Sequence, residues 1–214
     1  MTDSKEFTRR TVRRRVTVVI DETGRSDEKD SEGNVFGVGA VITEDPETLE
    51  IISRVMRKVK GVEELKYRTN KRIRDTMEKH IAATDAHVVG VYVKKDWDVP
   101  PWWKVVKRRS WPQRLMMCEL LKDLVALDVD FDKIIVDENT VWNNKEGTND
   151  EGERIIKRYV GPKRKIGYIA QEDSKAGDNK DLMQTADFAI GAMGRTLRDQ
   201  PPETPIKINS RRLK

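Results

Sequence analysis

Two kinds of hydrophobic pattern recur along the chain, and together they predict strands followed by alternating helices and strands. Short runs rich in β-branched residues are typical of buried strands, and they occur at residues 16–20, 35–42, 87–93, 133–136 and 165–170. Capping signals and apolar residues spaced three or four apart are typical of helices, and they occur at residues 46–60, 71–83, 110–127, 150–160 and 180–198. The chain is therefore predicted to be an α/β protein.

The segment after the second predicted strand has the clearest helix boundaries. Asp45 fits the N-cap, Pro46 fits the first helical position, and Gly61 fits the position after the last turn. Asn70 is a second candidate N-cap, for the helix that follows. The apolar residues of the first helix form one stripe, which we expect to face the core: Leu49, Ile52, Val55, Met56 and Val59.

The order of these elements predicts how the strands pair. A charged loop with a turn signal separates the first two strands, which predicts an antiparallel hairpin. Later strands are separated by helices, and such crossover connections pair strands in parallel. Gly37 and Gly39 fall on one face of the second strand, which predicts close packing against that face. A mixed α/β sheet follows.

Composition narrows the function classes. Lys and Arg outnumber Asp and Glu by 42 to 37, which makes the chain mildly basic. No apolar stretch approaches the roughly 20 residues of a membrane helix, so no membrane partner is expected. The single cysteine, Cys118, excludes an intrachain disulfide and favours a cytoplasmic location. The two histidines leave little for a His-rich metal site or a Ser-His-Asp triad. Any chemistry is expected to depend on carboxylates.

Three segments differ from the rest in composition. Residues 1–15 are polar and arginine-rich and are predicted to be a flexible basic arm, and residues 199–214 are predicted to be a basic C-terminal tail. Residues 94–111 contain four of the five tryptophans and are interpreted as an insert. The domain is thus expected to span residues 16–198.

Two acidic residues follow predicted strands. Asp21 ends the first strand and Asp137 ends a later one. If these strands are parallel neighbours, both side chains emerge at the carboxyl edge of the sheet, where α/β proteins usually bind ligands. Like charges this close favour a shared proton or a cation between them, and oxygen ligands suit Mg²⁺ or Mn²⁺. The alternative for each acid is an ordinary turn residue at a strand end.

Two further acids are candidates for the same site. Asp187 lies on the flank of the apolar face of the last helix, beside Gly191 and Gly194, whose small size allows close approach to another element. A solvated Asp at the boundary of the helix is the alternative. Glu64 lies in the short connector after the first helix, and its neighbour Glu63 is an alternative assignment.

These residues fall in motifs that resemble a known family. The segments are IDETG at 20–24, ELK at 64–66, VDENT at 136–140, DSK at 173–175 and LMQTADFAIGA at 182–192. Together they resemble the family called domain of unknown function 3800, of the ribonuclease H-like superfamily. The resemblance covers residues 16–198, and its most specific parts are the opening D-E-[ST]-G and the closing Q-x-A-D-F.

The resemblance implies a fold, a set of ligands and a reaction. The fold would be a ribonuclease H-like mixed sheet with helices on both faces. Asp21, Glu64, Asp137 and Asp187 would be catalytic carboxylates that bind two Mg²⁺ or Mn²⁺ ions, which would activate water and stabilise the leaving oxygen in phosphoryl transfer. The accessory residues would be Glu22, Lys66, Asp173 and Lys175, with Ser174 in the same loop as the last two. For each lysine, an ordinary surface position is the alternative.

The insert is a candidate nucleic-acid contact. Flat aromatic rings stack on bases and basic residues bind phosphates; the candidates are Lys94, Trp102, Trp103, Lys107, Arg108 and Arg109. The alternative is a lid or dimer contact with inward-packed tryptophans, and a homodimer is consistent with this second interpretation. The basic arm and tail are either additional phosphate contacts or solvated ends.

Two function classes remain. The first is a metal-dependent nuclease or related phosphodiester-processing enzyme acting on RNA or DNA. The second is a non-catalytic nucleic-acid-binding or complex-forming protein on the same fold. Retention of all four acids favours the first, because a binder of polyanions gains nothing from a negative cluster without metal. The chain has no GxxxxGK[ST] loop, which argues against an NTPase, and it lacks the second acid of the haloacid-dehalogenase signature after Asp21.

Overall fold

The computed structural model describes residues 13–24, 35–67, 70–94, 111–137, 150–172, 177–198 and 203–213. The strands in these ranges are β1 (Arg14–Thr23), β2 (Val35–Thr43), β3 (His87–Lys94), β4 (Val129–Asp137), β5 (Ile166–Glu172) and β6 (Lys207–Arg212). The helices are α1 (Pro46–Lys60), α2 (Lys71–Ala82), α3 (Trp111–Ala126), α4 (Asp150–Tyr159) and α5 (Lys180–Leu197).

The six strands form one mixed sheet with the order β5-β4-β1-β2-β3-β6. β2 is antiparallel to both of its neighbours, β1 and β3. The pairs β1–β4, β4–β5 and β3–β6 are parallel. The predicted hairpin and the parallel pairing of β4, β5 and β6 are confirmed, whereas β3 is antiparallel to β2 although two helices separate these strands. The architecture is a mixed α/β sheet with helices on both faces, consistent with a ribonuclease H-like fold.

A hydrophobic core lies on each face of the sheet. On one face, which we call the α3 face, the sheet packs against α3 and α4 through buried residues such as Leu120, Leu124 and Ile156. On the other, the α5 face, it packs against α1, α2 and α5. Because side chains of a strand alternate between faces, Ile20 lies on the α3 face and Val19 on the α5 face.

α5 is the central helix of its face and is buried on most sides. Glycines in the sheet allow this close packing. A Cβ on Gly39 would lie 3.2 Å from Cγ1 of Ile190, and a Cβ on Gly37 would lie 3.3 Å from Cε of Met193. The close packing predicted from the glycines of β2 is therefore confirmed, and α5 is the element that provides it.

The predicted caps of α1 and α2 are confirmed. Oδ1 of Asp45 accepts a hydrogen bond of 3.1 Å from the N–H of Thr48. Gly61 ends α1 in the left-handed region, with φ of 63°, where a residue without Cβ is favoured. Oδ1 of Asn70 accepts a hydrogen bond of 2.8 Å from the N–H of Arg72 at the start of α2.

The predicted core stripe of α1 is partly wrong. Leu49 and Met56 are buried and Ile52 is half-buried, whereas Val55 and Val59 are exposed. α1 packs mainly on α5 and less on α2. Contact with another helix buries a narrower face than contact with a sheet, and here that face is centred on Ser53, which is fully buried.

Both ends of the predicted domain differ from the sequence prediction. The segment predicted as a basic tail contains β6, which pairs with β3, and Ile206 just before it is buried. Arg211 of β6 pairs with Asp123 at 3.0 Å. At the other end, Arg14 and Arg15 of the predicted arm belong to β1. Residues 1–12 lie outside the described residues. Within the described ranges, no helix combines the length and apolar character needed to cross a membrane.

Candidate carboxylate site

Asp21 and Asp137 lie side by side at the carboxyl edge of the sheet. The residues immediately before them are partners in the parallel β1–β4 ladder, and neighbouring strands are about 4.8 Å apart. Alternation along each strand puts Asp21 on the same face as Val19, and Asp137 on the same face as Ile135. Since Val19 and Ile135 both belong to the core of the α5 face, both carboxylates leave the sheet toward α5.

Asp187 reaches this place from α5. The helix lies close to the end of β1 because Gly194 has no side chain: a Cβ there would lie 2.0 Å from Oγ1 of Thr23. Thr23 is two residues beyond Asp21 and therefore on the same face of β1. The predicted role of Gly194, close approach of the helix to another element, is confirmed by this contact.

Electrostatic repulsion shows that the three acids are neighbours. The pKa of Asp21 is raised well above its usual value, first by burial and then by the charges of Asp187 and Asp137. The N–H of Glu22 donates a hydrogen bond of 2.7 Å to Oδ1 of Asp21 and offsets part of this rise. Burial together with like charges makes the ionised form of Asp21 unfavourable.

Two side chains of α5 hold the connector of residues 62–67, which leads from α1 toward α2. Oε1 of Gln184 accepts a hydrogen bond of 3.1 Å from the N–H of Leu65. Oδ2 of Asp187 accepts one of 2.9 Å from the N–H of Tyr67. Gln184 and Asp187 are three residues apart and therefore share a face of the helix. The connector is thus fixed against α5 on both sides of Lys66.

This arrangement brings Glu64 to the acids. Burial is the main cause of the raised pKa of Asp187, and the charges of Asp137 and Glu64 raise it further, while the N–H of Tyr67 and the charge of Lys66 lower it. Lys66 also pairs with Glu64 at 3.3 Å. Glu63, the alternative assignment, is exposed. The acid of the connector whose charge acts on Asp187 is therefore Glu64.

Tyr67 links the site to a buried ion pair that the sequence predictions did not include. Its ring occupies the space beside Gly191, where a Cβ would lie 2.4 Å from the ring, and it meets Phe188 edge-on at 6.0 Å between centroids. Its hydroxyl accepts a hydrogen bond of 3.0 Å from Nη1 of Arg195. Arg195 is buried and binds both carboxylate oxygens of Glu78, at 2.8 and 2.6 Å. The buried pair therefore supports the residue that holds Asp187.

Glu22 lies on the opposite face of β1, since it follows Asp21 in the strand. Burial, followed by the charge of Asp137, raises the pKa of Glu22 to about 8. Its Oε2 atom is buried and has no hydrogen-bond partner among the described residues. Glu22 is therefore protonated at neutral pH in the absence of a cation. Glu22 therefore leaves β1 on the other side from Asp21, and the charge of Asp137 is the one that raises its pKa; its accessory role stays a prediction.

Several predicted residues lie outside the described ranges. They are Asp173, Ser174 and Lys175 of the accessory loop, and Trp102, Trp103, Lys107, Arg108 and Arg109 of the insert. Lys94 is described: it ends β3 and is half-buried. β3 has the same direction as β1, because both are antiparallel to β2. Lys94 therefore ends at the same edge of the sheet as Asp21.

The oxygen donors of the site suit a hard divalent cation, but the side chains are not arranged around a common point as metal ligands are. All four predicted ligands are carboxylates, which Mg²⁺ and Mn²⁺ prefer. Among the residues that the structure describes, however, no three Asp, Glu, His or Cys side chains have an arrangement that could hold a metal ion. The charges of neighbouring acids raise the pKa values of Asp21 and Asp187, and the side chains of the four acids would have to turn toward a shared cation.

One surface depression of the described structure lies elsewhere, along α2. Its volume is about 550 Å³, and it is lined by Asn70, Lys71, Arg72, Asp75, Thr76 and Lys79. None of the four predicted ligands lines it. The four predicted ligands therefore lie outside this depression, at the strand ends, on α5 and in the connector.

No protein-family model matches the chain, and no curated protein matches it. The resemblance to the family domain of unknown function 3800 therefore remains a prediction from the motifs.

Proposed function

We propose that this protein is a divalent-metal-dependent phosphodiester hydrolase that cleaves nucleic acid, and that it belongs to the family its motifs resemble. The observation that supports this most directly is the burial of Asp21 beside Asp137 and Asp187, with repulsion raising its pKa. Such an arrangement opposes folding unless a proton or a cation compensates it. Strongly perturbed acids at a sheet edge are also characteristic of functional sites.

The proposed ligands are Asp21, Glu64, Asp137 and Asp187. Bound Mg²⁺ or Mn²⁺ would supply a nucleophile from water and stabilise charge on the leaving oxygen. The protein's part is to hold the acids in place. Asp187 is oriented by the N–H of Tyr67, and Glu64 is held by the connector that Gln184 and Asp187 fix to α5.

Two accessory residues have proposed roles of their own. Lys66 supplies positive charge beside the acids, since its charge lowers the pKa of Asp187, and we assign it to the orientation of a substrate phosphate. Glu22 carries a proton at neutral pH because burial and Asp137 raise its pKa to about 8. Its side chain leaves β1 on the opposite face from Asp21, and we assign it to proton donation at the strand end, where the charge of Asp137 reaches it.

Metal binding is the decisive test. Calorimetry with Mn²⁺ should detect binding to the wild type and a loss of at least about tenfold in affinity in Asp21→Asn and in Asp137→Asn. Asp128→Asn is the matched control, because Asp128 precedes β4 at the opposite edge of the sheet and is exposed. The proposal fails if the wild type binds no Mn²⁺, or if all three variants bind it equally.

Cleavage is tested on labelled single-stranded and double-stranded RNA and DNA and on a hybrid duplex. Activity should require Mg²⁺ or Mn²⁺, should disappear with chelator, and should fall by orders of magnitude in Asp137→Asn. Equal cleavage by Asp137→Asn and the wild type would indicate a contaminating nuclease.

One observation favours the second candidate function, a non-catalytic nucleic-acid-binding or complex-forming protein. No finished metal-binding group is present among the described residues. On this alternative the acids are held protonated, and the protein binds nucleic acid in chelator as well as it does with metal. Binding without Mn²⁺ affinity or cleavage would establish it over the hydrolase.

A further inference from the structure

The outer side of α2 is positively charged. Three cations lie there, Lys71, Arg72 and Lys79, and all three are exposed. At about 100° per residue they fall within about 100° of arc, on the side of the helix away from Met77 and Ile81, which are buried in the core of the α5 face. We call this group of three cations the basic strip.

The charge of the basic strip is not neutralised by the described part of the chain. None of its three side chains forms an ion pair with a described residue. The acid that lies between them on the helix, Asp75, pairs with Arg74 at 3.8 Å. By contrast, Arg211 on β6 has a carboxylate partner in Asp123 at 3.0 Å. The strip therefore presents net positive charge to a ligand from outside the chain.

The depression along α2 follows the basic strip. Its volume is about 550 Å³, and all three cations line it together with Asn70, Asp75 and Thr76. Every one of these side chains is polar or charged, so the depression suits a polar ligand. The cations are spread over about 12 Å of the helix axis, and this spread suits a chain of linked anionic groups better than a single small anion.

The basic strip begins beside the carboxylate site. Tyr67, whose N–H is bonded to Asp187, is three residues before Asn70, the N-cap of α2, so their Cα atoms are at most about 11 Å apart. The guanidinium of Arg74 lies over the ring of Tyr67, 5.5 Å from its centroid. Since β3 begins at the edge of the sheet opposite to Asp21, α2, which precedes β3, runs from the site toward that edge. The strip is therefore a path that leads away from the acids.

We propose that the basic strip binds the phosphate backbone of a nucleic-acid strand that extends from the carboxylate site along α2. This inference rests on the proposed hydrolase function and adds to it the surface that holds the substrate beyond the reacting phosphate. Cations along a groove bind a single strand whatever its sequence, so the strip contributes affinity and direction and no sequence preference. A nucleic acid is favoured over an acidic protein segment, because the strip starts at acids that suit metal-assisted cleavage of phosphodiesters.

The first experiment measures binding of fluorescently labelled single strands of RNA and DNA to the full chain by anisotropy, in chelator so that no metal-dependent cleavage occurs. The strip variant, Lys71→Ala with Arg72→Ala and Lys79→Ala, should bind at least about tenfold more weakly at about 0.1 M salt, and equally so for different sequences. Each phosphate contact to a single strand contributes about 0.7 to the slope of log affinity against log salt, so the slope should become shallower by about 2.

The matched control removes three lysines at the opposite edge of the sheet. Lys163 and Lys165 precede β5 and Lys207 begins β6, and all three are exposed. The control variant, with these three lysines changed to alanine, loses the same net charge as the strip variant and should keep the wild-type affinity and salt slope. Circular dichroism of both variants separates loss of binding from loss of fold; alanine favours the helix at the three positions of α2.

The second experiment tests whether the bound strand extends from the carboxylate site. The acetylation of each lysine is measured by mass spectrometry with and without the oligonucleotide. Lys66, whose side chain is 56% exposed beside the acids, should be protected together with Lys71 and Lys79. Lys163 and Lys207, at the opposite edge, should react equally in both samples. Protection of the strip without protection of Lys66 would overturn the path from the site.

Equal affinities of the wild type and the strip variant would overturn the proposal, and so would a wild type that binds neither RNA nor DNA. A strip variant that loses affinity for polyglutamate but not for the oligonucleotides would also overturn it, because the strip would then be a surface for an acidic protein. None of these measurements uses Mn²⁺ or cleavage. Failure of the strip is therefore distinguishable from failure of the hydrolase proposal, which Mn²⁺ binding and the Asp137→Asn variant decide.

Discussion

The N–H of Tyr67 donates a hydrogen bond of 2.9 Å to Oδ2 of Asp187, across 120 residues of sequence. This bond joins the connector to the helix that faces the strand-end acids. It also stabilises the charged form of Asp187, because the N–H lowers the pKa of that carboxyl against the effect of burial. Tyr67 is therefore a positioning residue for the candidate site. Two variants act near it: Gly191→Ala at its ring, and Glu78→Ala at the ion pair whose arginine binds its hydroxyl.

Gly191→Ala should displace Tyr67 and weaken metal binding. The new Cβ would lie 2.4 Å from the ring, so the ring and the connector must move. We expect a loss of about 1–3 kcal/mol in the free energy of unfolding and a loss of about tenfold or more in Mn²⁺ affinity. Urea denaturation and calorimetry measure the two effects.

Gly90→Ala is the control for this prediction. A Cβ on Gly90 would lie 2.3 Å from Sδ of Met193, so it also crowds α5, but at a flexible side chain away from the connector. It should reduce stability and leave Mn²⁺ affinity unchanged. Equal losses of affinity in both variants would mean that general crowding of α5, and not the position of Tyr67, controls the site.

Removing Glu78 should destabilise the protein strongly. Glu78→Ala would leave Arg195 buried without its carboxylate partner, and breaking a buried pair in this way costs about 3–5 kcal/mol. Asp128→Ala breaks the pair with Arg13, in which the Asp128 side chain is 82% exposed, and should cost less than about 1 kcal/mol. Denaturant midpoints compare the two, and similar losses would contradict the burial of the Glu78–Arg195 pair.

The stability of the metal-free protein should fall as pH rises. Glu22 has a pKa of about 8 in the folded protein, against an ordinary value of 4.5 for an exposed glutamate, so between these values the folded state holds a proton and the unfolded state does not. Stability is then fully present below the lower value and is lost as pH rises through the higher one. The slope for one proton is at most about 1.4 kcal/mol per pH unit, and less for a side chain that is partly exposed.

Urea denaturation in chelator at several pH values measures this slope. Glu22→Gln cannot ionise and should flatten it, although Asp21 and Asp187, whose pKa values are also raised, should retain part of the effect. Added Mn²⁺ should stabilise the wild type more at the alkaline end, where the acids are charged. A slope that is the same in the wild type and in Glu22→Gln would exclude Glu22 as its source.

The two sides of α1 should differ sharply in their contribution to stability. Leu49→Ala should lower the free energy of unfolding by about 2–5 kcal/mol, because the side chain of Leu49 is fully buried in the core of the α5 face. Val59→Ala, on the exposed side, should change stability by no more than about 0.5 kcal/mol at low protein concentration. Thermal and urea unfolding check both values, and a large effect of Val59→Ala would restore the original prediction that it faces the core.

Local signals in the sequence were sufficient for helix ends and strand faces. Asp45 and Gly61 bound α1 because cap geometry depends on residues that are close in sequence. The two glycines of β2 marked the face that α5 covers, because only a missing Cβ allows such an approach. The order of strands and helices indicated parallel strands, and the side-by-side position of Asp21 and Asp137 was predicted on the condition that their two strands are neighbours, which the structure shows them to be.

Contacts between distant segments could not be derived in this way. The pairing of Glu78 with Arg195 depends on how α2 and α5 pack, and neither residue has a distinctive sequence context. β6 was missed because its exposed positions are mostly polar, and its place beside β3 is set by pairing. Val55 and Val59 fit the apolar stripe of a helix. The spacing of apolar residues does not indicate, however, that α1 packs against another helix instead of against the sheet.

The central position of α5 has a consequence for how the chain folds. Asp187 meets Asp21 only when a helix from the last part of the domain docks on the first strand, and long-range contacts of this kind form slowly. Docking also forces ionised acids together, so repulsion should be strongest in this late step. We therefore expect divalent cations, or mild acidity, to accelerate refolding, with the ion acting as a template for the final assembly of the domain.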